Sequence, residues 1–249
     1  MSESANKTKI LYSLGCTCDP HMTWQQFSRE LVAPSLFAGL IQLQDETEDF
    51  IPRFLFDGTL EKYFFNVDEW KKIEMVDCLG FSKESLFRDP SDSTMFQYHY
   101  NLQDRAFLDC SKINVSSLQV VKDSIYYNHK LHLLNIHADE KTLGVNPMQV
   151  DYQKKKYEYF LNNRFNLKFG IYLHRNATET QLEDFQNLIE NQGFDCKNFI
   201  VFVRNSQKSF ERIKFNKVWL KCNDDEQTNL YYTSQKIQMI AAIKEKFNL

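Results

Sequence analysis

Glycine and proline are scarce in this sequence, with 7 and 5 residues among 249. Neither the G-x-G-x-x-G pattern nor the Walker pattern occurs. Both patterns need glycines where the backbone approaches a phosphate, so their absence disfavours a simple dinucleotide-binding or P-loop protein. Aromatic residues are abundant instead, with 21 Phe and 12 Tyr, but this bias alone indicates no function.

Two further absences narrow the class of protein. No apolar stretch approaches the roughly 18 residues that a membrane-spanning helix needs. The formal net charge of −3 gives no basic footprint, which argues against non-specific binding of nucleic acid. The short basic run Lys154–Lys156 is interpreted as the solvated face of a helix whose apolar face carries Tyr157, Phe160, Leu161 and Phe165.

The number and distribution of the cysteines indicate the cellular compartment. Six cysteines are spread along the chain, and no secretory apolar region precedes them, which argues against a disulfide scaffold. We therefore expect a cytoplasmic protein with reduced thiols. Residues 1–8 are polar and expected to be disordered, and residues 9–249 are expected to form a single α/β domain.

Two apolar runs in the C-terminal half end at the same dipeptide. The run from Gly170 to His174 is followed by Arg175-Asn176, and the run from Phe199 to Val203 by Arg204-Asn205. Between them, Leu182, Phe185, Leu188 and Ile189 recur at helical spacing. Two continuously apolar strands joined by a helix predict a parallel βαβ unit.

Local signals set the limits of the predicted helix. Thr178 and Gln181 have the spacing of a capping box at its start, and Gly193 follows its last turn as a stop signal. The unit places both Arg-Asn pairs at the carboxyl ends of neighbouring strands, where open α/β sheets bind ligands. A guanidinium group offers a bidentate fork to phosphate or carboxylate. The alternative is that each arginine solvates a strand end or pairs with a nearby acid.

The rest of the chain supplies further predicted elements. Strands are predicted at 9–14, 131–136 and 217–222, and helices at 152–165 and 234–247, the last with Ile237, Ile240 and Phe247 on one side. Residues 60–130 are expected to hold helices and a hairpin. The alternation of strands and helices after Leu131 predicts a Rossmann-like three-layer α/β domain with a mainly parallel sheet.

Cys16-Thr17-Cys18 follows the first predicted strand and its Gly15 turn. A helix start predicted at Asp19-Pro20 would stabilise a thiolate at Cys18, which is how a nucleophilic cysteine is prepared. The alternative is that these cysteines are small buried residues. Zinc binding by Cys-x-Cys is disfavoured, because no second paired motif exists.

Acidic and imidazole groups give the candidate bases. His137 and Asp139 follow the strand predicted at 131–136, and Asp57 begins an Asp-Gly turn. Their positions suit a general base or an anion-pairing role. The run 224–226, Asp-Asp-Glu, could hold a divalent cation on a diphosphate, or it could be an exposed turn.

Several short motifs resemble a bacterial domain of unknown function that is labelled a putative papain-like cysteine peptidase. Ser13-Leu14-Gly15-Cys16-Thr17-Cys18 resembles its "SLG-x-x-C" opening, and Phe56-Asp57 resembles part of its "PFDW" motif, with Leu55 and Gly58 in place of the proline and tryptophan. His137 lies where that family tends to place a His-Asp pair, and in this sequence Ala138 separates the histidine from Asp139. The segments 163–165, Asn-Arg-Phe, and 202–204, Phe-Val-Arg, resemble its "RF" and "FVR" segments.

The resemblance implies one chemistry, and the predicted fold favours another. The family label implies Cys18 as nucleophile and His137 as base, on a papain-like core with an antiparallel sheet. The successive parallel units predicted here disagree with such a core. Members of the family occur among polysaccharide-building proteins. A Rossmann-like sheet with arginines at its ligand edge is similar to the sheet of nucleotide-sugar transferases.

Three hypotheses follow. In the first, the chain is a transferase, for example a glycosyltransferase, that binds an anionic nucleotide-linked donor with an anion-binding set made of Gly15, Arg175, Asn176, Arg204 and Asn205. A base from Asp57, His137 or Asp139 deprotonates a hydroxyl acceptor. In the second, Cys18 and His137 form a cysteine hydrolase. In the third, the chain is a non-catalytic binding module.

Overall fold

Two sheets of different type form the framework of the chain in the computed structural model. One has four parallel strands and the other has seven antiparallel strands. The structure describes residues 9–14, 24–25, 29–37, 40–42, 51–77, 86–91, 95–99, 104–108, 118–135, 147–173, 177–203, 209–220 and 233–249.

The parallel sheet gathers strands from both ends of the sequence. Its order is β1 (Leu11–Ser13), β9 (Lys168–Tyr172), β10 (Phe199–Val203) and β11 (Asn216–Trp219), and every neighbouring pair is parallel. The predicted parallel pairing of the two apolar runs is therefore confirmed, with β9 and β10 in the two central positions. The strands predicted near residues 9–14 and 217–222 are confirmed as the two outer strands.

The helix between β9 and β10 has the predicted ends. It spans Glu179–Asn191, and the Thr178 side chain accepts a hydrogen bond from the Gln181 backbone while the Gln181 side chain accepts one from Thr178. At the other end, Gly193 has φ 83°, and its N–H donates to Glu190 O. The Phe194 N–H donates to Ile189 O. These two bonds form a Schellman motif, which needs the left-handed conformation that glycine adopts without strain.

The two faces of the parallel sheet are covered by different helices. The described helices are α1 (Thr59–Phe64), α2 (Pro147–Asn163), α3 (Glu179–Asn191) and α4 (Thr233–Phe247). Buried residues of α1, α2 and α3 share one hydrophobic core with alternate residues of β1, β9 and β10. Met239 and Ile243 of α4 pack with Ile200 and Phe202 on the opposite face. Burial on both faces explains why β10 and the last four residues of β9 are apolar.

On the α4 side of the sheet, Trp24 lies over Gly170. The Trp24 side chain is 1% exposed, and it belongs to the same core as Ile200 and Phe202. A Cβ atom on Gly170 would lie 2.0 Å from Cη2 of Trp24 and 2.1 Å from Cζ2. Glycine is therefore required in the middle of β9 because the indole ring occupies the space above it.

The strand order of the antiparallel sheet is β2 (Ile41–Gln42), β8 (Leu133–Asn135), β7 (Gln119–Asn128), β3 (Trp70–Asp77), β4 (Leu86–Arg88), β5 (Met95–His99) and β6 (Asp104–Leu108). Of its antiparallel pairing, the sequence predicted only a hairpin within residues 60–130, which the antiparallel pairs of β3 to β6 confirm. The expectation of a mainly parallel sheet is thus wrong for the middle of the chain. The strand predicted at 131–136 exists as β8, but it pairs antiparallel with β7 and β2 rather than joining the parallel sheet.

Side-chain hydrogen bonds join the antiparallel sheet to α1. Trp70 and Asn128 are opposite one another on β3 and β7. The Trp70 indole N–H donates to Phe64 O at 2.9 Å, and the Asn128 amide donates to Tyr63 O at 3.1 Å. A cross-strand pair thus satisfies two carbonyls at the carboxyl end of α1, which otherwise would lack partners.

Two helical interpretations need correction. The helix predicted at 152–165 begins at Pro147 and ends at Asn163, and of its expected apolar face Leu161 and Phe165 are exposed while Tyr157 and Phe160 are buried. In α4, Ile237 is 62% exposed, whereas Met239 and Ile243 are buried. Both errors concern which apolar residue faces the sheet, which tertiary contacts decide and helical spacing alone does not.

We predict that Gly170→Ala destabilises the protein by about 1–3 kcal/mol, because the added methyl group collides with the Trp24 ring in a packed core. Urea denaturation of both proteins would measure the loss. The matched test is Gly170→Ala in a Trp24→Phe background, where the colliding ring atoms are absent. An equal loss in both backgrounds would contradict the proposed collision.

Candidate functional site

The four parallel strands end at a common end of the sheet, called here the carboxyl end. The register aligns Ser13 with Gly170, Gly170 with Ile200, and Ile200 with Asn216. Past the last ladder pairs, the Leu14 N–H donates to Gly170 O, the Leu173 N–H to Phe202 O and the Leu220 N–H to Val203 O. The strands therefore leave the sheet within a few residues of one another.

The segments that follow these strands contain most of the predicted site. Along the chain, Gly15 follows β1 after one residue, Arg175 lies two residues after Leu173, and Arg204 comes directly after β10. All but one of the predicted site residues lie outside the described residues: Gly15, Cys18, His137, Asp139, Arg175, Asn176, Arg204 and Asn205, together with the acidic run 224–226. Their catalytic and binding roles remain predictions from the sequence.

A network of buried hydroxyl groups supports the carboxyl end of β1. The Ser35 hydroxyl donates to Ser13 O at 2.8 Å and accepts from the Phe37 N–H at 3.1 Å. The Tyr12 hydroxyl accepts from the Leu36 N–H at 3.2 Å, and burial raises the pKa of Tyr12 above its usual value. Tyr12 therefore stays protonated, and this network positions backbone rather than supplying a base.

Aromatic rings cover one face of the sheet at its opposite, amino end. The Phe56 ring lies 5.7 Å from Phe169 and 6.3 Å from Phe199, which stand at the beginnings of β9 and β10. Phe194 lies 5.2 Å from Phe56 and 6.1 Å from Phe169. These rings are buried and packed against one another, so aromatic side chains cover the first residues of β9 and β10 on the face that also carries α1, α2 and α3.

Asp57 is the predicted site residue that the structure does describe. It follows Phe56, whose carbonyl accepts a 2.6 Å hydrogen bond from the Gln192 side chain. Asp57 therefore lies beside the amino end of the parallel sheet. Its carboxylate accepts from the Thr59 N–H at 2.9 Å and from Arg53 Nε at 3.1 Å. These contacts hold the turn before α1, where Gly58 has φ 84°. The structure thus favours a structural role for Asp57 in this turn.

The sequence did not single out Gln153 on α2. Gln153, Tyr157 and Phe160 are buried at helical spacing and face the sheet. Phe160 packs 6.4 Å from Phe169, near the start of β9. Gln153 lies seven residues closer to the helix N-terminus, a rise of about 10 Å or roughly three strand residues. Because α2 ends four residues before β9 begins, the helix runs back along the sheet, and Gln153 lies toward the carboxyl end of β9.

Lys156 lies one turn further along the same side of α2. Lys154 and Lys155 are exposed, as expected for a solvated run, but Lys156 is only half-exposed, and burial lowers its pKa to about 8. Its ammonium group lies 4.7 Å from the centre of the Tyr152 ring, so it reaches back toward the N-terminal turns of α2. At neutral pH it remains mainly charged and adds a cation on this side of the sheet.

Cys196 is the one described cysteine, and it is not disposed for nucleophilic chemistry. Its thiol donates to Glu190 Oε1 at 3.2 Å, and burial together with the Glu190 carboxylate raises its pKa to about 12. A thiol with so high a pKa is not ionised at neutral pH.

In the described part of the chain, no group of three or more His, Cys, Asp or Glu residues is arranged to hold a metal ion. None of the described helices combines the length and apolar character needed to cross a bilayer.

We predict that Asp57→Asn costs little stability, because asparagine still accepts the Thr59 hydrogen bond and only a partly exposed ion pair is lost. Asp57→Ala also loses the hydrogen bond from the Thr59 N–H. It should therefore lower the free energy of unfolding, measured by urea denaturation, by about 1 kcal/mol more than Asp57→Asn does. Neither change should affect the binding of a ligand at the carboxyl end. Loss of turnover in Asp57→Asn, with stability unchanged, would restore Asp57 as a candidate base.

Known proteins give no guide to the function of this chain. No protein-family model matches the sequence, no curated protein matches it, and no solved structure matches it. The resemblance of its short motifs to the domain labelled as a cysteine peptidase therefore stays a prediction. What the chain does must be inferred from its own residues and geometry.

Proposed function

We propose that this chain is a transferase that binds an anionic, nucleotide-linked donor at the carboxyl end of its parallel sheet. The observation that carries the proposal is the parallel pairing of β9 and β10 in the centre of the sheet. Each of these strands is followed in the chain by an Arg-Asn pair. Open parallel sheets bind ligands at this end, where successive loops leave neighbouring strands.

The aromatic packing at the amino end supports the same location. Phe56 and its neighbouring rings fill the space at the beginnings of β9 and β10. A phosphate-bearing ligand needs polar or charged partners, and burying it against aromatic edges without them would cost several kcal/mol. The polar residues that follow the strands in the sequence are the better partners for such a ligand.

The proposed roles follow from the chemistry of each side chain. Arg175 and Arg204, with Asn176, Asn205 and the backbone at Gly15, hold the phosphates of the donor. The two guanidinium groups also stabilise the charge that develops on the leaving diphosphate. His137 or Asp139 deprotonates the acceptor hydroxyl, because Asp57 lies beside the opposite end of the sheet. A sugar donor would make the chain a glycosyltransferase.

A Rossmann-like three-layer arrangement around the parallel sheet is part of this proposal. Packing of α2 and α3 on one face and of α4 on the other supports it. The antiparallel sheet is then an addition between β1 and β9 rather than part of the ligand-binding layer. That addition separates this chain from a plain alternation of strands and helices.

Cysteine hydrolysis is the second candidate. It is favoured by the position of β1, which belongs to the parallel sheet and is followed in the sequence by Gly15 and Cys18. Cys18 would attack an acyl carbon with His137 as base. The parallel sheet disfavours it, because the resemblance on which it depends implies an antiparallel core.

We predict that Arg175→Ala and Arg204→Ala each weaken binding of an anionic donor by about 1.5–3 kcal/mol, because each removes a charge-assisted hydrogen bond. Lysine at either position should restore only part of the affinity, since the bidentate fork is lost. The measurement is a thermal-shift screen of nucleotides and nucleotide sugars with and without Mg²⁺, followed by calorimetry. A ligand at a hundred times its Kd stabilises by about 2.7 kcal/mol.

Arg164→Ala is the matched control for this experiment. Arg164 lies over the Phe165 ring just after α2, at the amino end of the sheet, so its removal should leave donor affinity unchanged. An equal loss from Arg164→Ala and Arg204→Ala would indicate a general effect of net charge. Unchanged affinity in both site variants would contradict the proposed anion site.

A separate prediction distinguishes the transferase from the hydrolase. Cys18→Ala should keep most of the activity, whereas His137→Ala or Asp139→Asn should reduce turnover about 10²–10⁴-fold through loss of the general base. Labelling with an alkylating reagent should show Cys18 reacting no faster than the other cysteines. If Cys18→Ala abolishes turnover while the fold is retained, the hydrolase hypothesis replaces the transferase. Ligand binding without any turnover would indicate a binding module.

A further inference from the structure

Buried polar atoms without partners mark places where a ligand can complete the hydrogen bonding. Among the described residues, two buried side-chain atoms have no hydrogen-bond partner: Oε1 of Gln153 and Nε1 of Trp24. An unsatisfied buried acceptor or donor costs about 1–3 kcal/mol, so such groups are rare and need a reason. Trp24 lies on the α4 side of the sheet, whereas Gln153 lies on the α2 side.

Gln153 lies toward the end of the parallel sheet at which the proposed ligand binds. It shares the buried face of α2 with Tyr157 and Phe160 and is 9% exposed. Phe160 packs near the beginning of β9, and Gln153 lies a helical rise of about 10 Å closer to the start of α2, in the direction of the carboxyl end of that strand. An apolar residue would fill this position at less cost, so the carboxamide is better explained by a partner that is not part of the protein.

Another buried glutamine shows what a structural role looks like in this fold. Gln186 on α3 is 3% exposed, and its Oε1 accepts a 2.6 Å hydrogen bond from the Lys214 N–H. That bond ties α3 to the segment that leads into β11. Gln153 Oε1 has no equivalent donor, although it is buried to a similar degree.

We propose that Gln153 is a specificity-determining residue whose Oε1 accepts a hydrogen bond from the bound donor. This proposal rests on the proposed function. A carboxamide oxygen accepts but does not donate, so the ligand must present a hydroxyl or an amino group. The phosphates bind to the arginines, and the sugar hydroxyls or a base amino group of a nucleotide sugar reach Gln153. The half-buried Lys156, one turn away, adds positive charge on the same side.

The experiment compares Gln153→Met with the control Gln186→Met, using pyrophosphate, UDP-glucose and GDP-mannose as probes. Methionine keeps the length of the side chain and removes the acceptor. Gln153→Met should leave the Tm unchanged or raise it, because an unsatisfied acceptor is lost. Gln186→Met should lower the Tm by several degrees, because the Lys214 N–H loses its partner.

Binding gives the second measurement. Gln153→Met should raise the Kd of whichever nucleotide sugar binds the wild type by roughly threefold to tenfold and leave the Kd of pyrophosphate unchanged. Gln186→Met should change neither. Unchanged affinity of Gln153→Met for the nucleotide sugar, or a fall in Tm equal to that of Gln186→Met, would overturn the role of Gln153 while the anion site stands. If the wild type binds none of the three probes, the proposed function fails as well.

Discussion

The packing of Phe56 holds together elements that are distant in the sequence. Its ring lies within 5.2–6.3 Å of five other phenylalanine rings, which belong to α2, β9, α3, the turn after α3 and β10. Its carbonyl accepts a hydrogen bond from Gln192. Edge-to-face contacts of this kind add to the stability gained from burial. The segment before α1 is thereby fixed to the parallel sheet, and through Trp70 and Asn128 the antiparallel sheet is fixed to α1.

This packing distinguishes the amino end of the parallel sheet from the carboxyl end, at which we propose that the ligand binds. At the amino end, the strands begin under packed aromatic rings, so substitutions there would act on stability. At the carboxyl end, β1, β9, β10 and β11 each continue into a connecting segment. Parallel α/β proteins commonly separate the two tasks in this way, because loops at one end can vary without disturbing the core at the other.

The sequence predicted the elements whose signals are local. Thr178, Gln181 and Gly193 define the ends of α3, and the uninterrupted apolar runs of β9 and β10 reflect burial on two faces. The antiparallel sheet lacked such signals. In β3 the buried residues Ile73 and Val76 are three apart rather than two, and the pairing with β7 shifts twice between Ile73 and Val76. These bulges remove the alternation from which a strand is predicted.

Some residues of the candidate site could be predicted from the sequence, and others could not. Arginines that follow strands can be recognised in a sequence because the strands themselves are recognisable, so Arg175 and Arg204 could be singled out. Gln153 could not, because a glutamine on a helix is ordinary until its burial and its lack of a donor are known. Asp57 is the opposite case. Its place in an Asp-Gly turn predicted a general base, whereas its carboxylate accepts hydrogen bonds from Arg53 and Thr59 within that turn. A polar residue points to a ligand when its hydrogen bonds remain incomplete in the folded chain, and residue type alone does not reveal that.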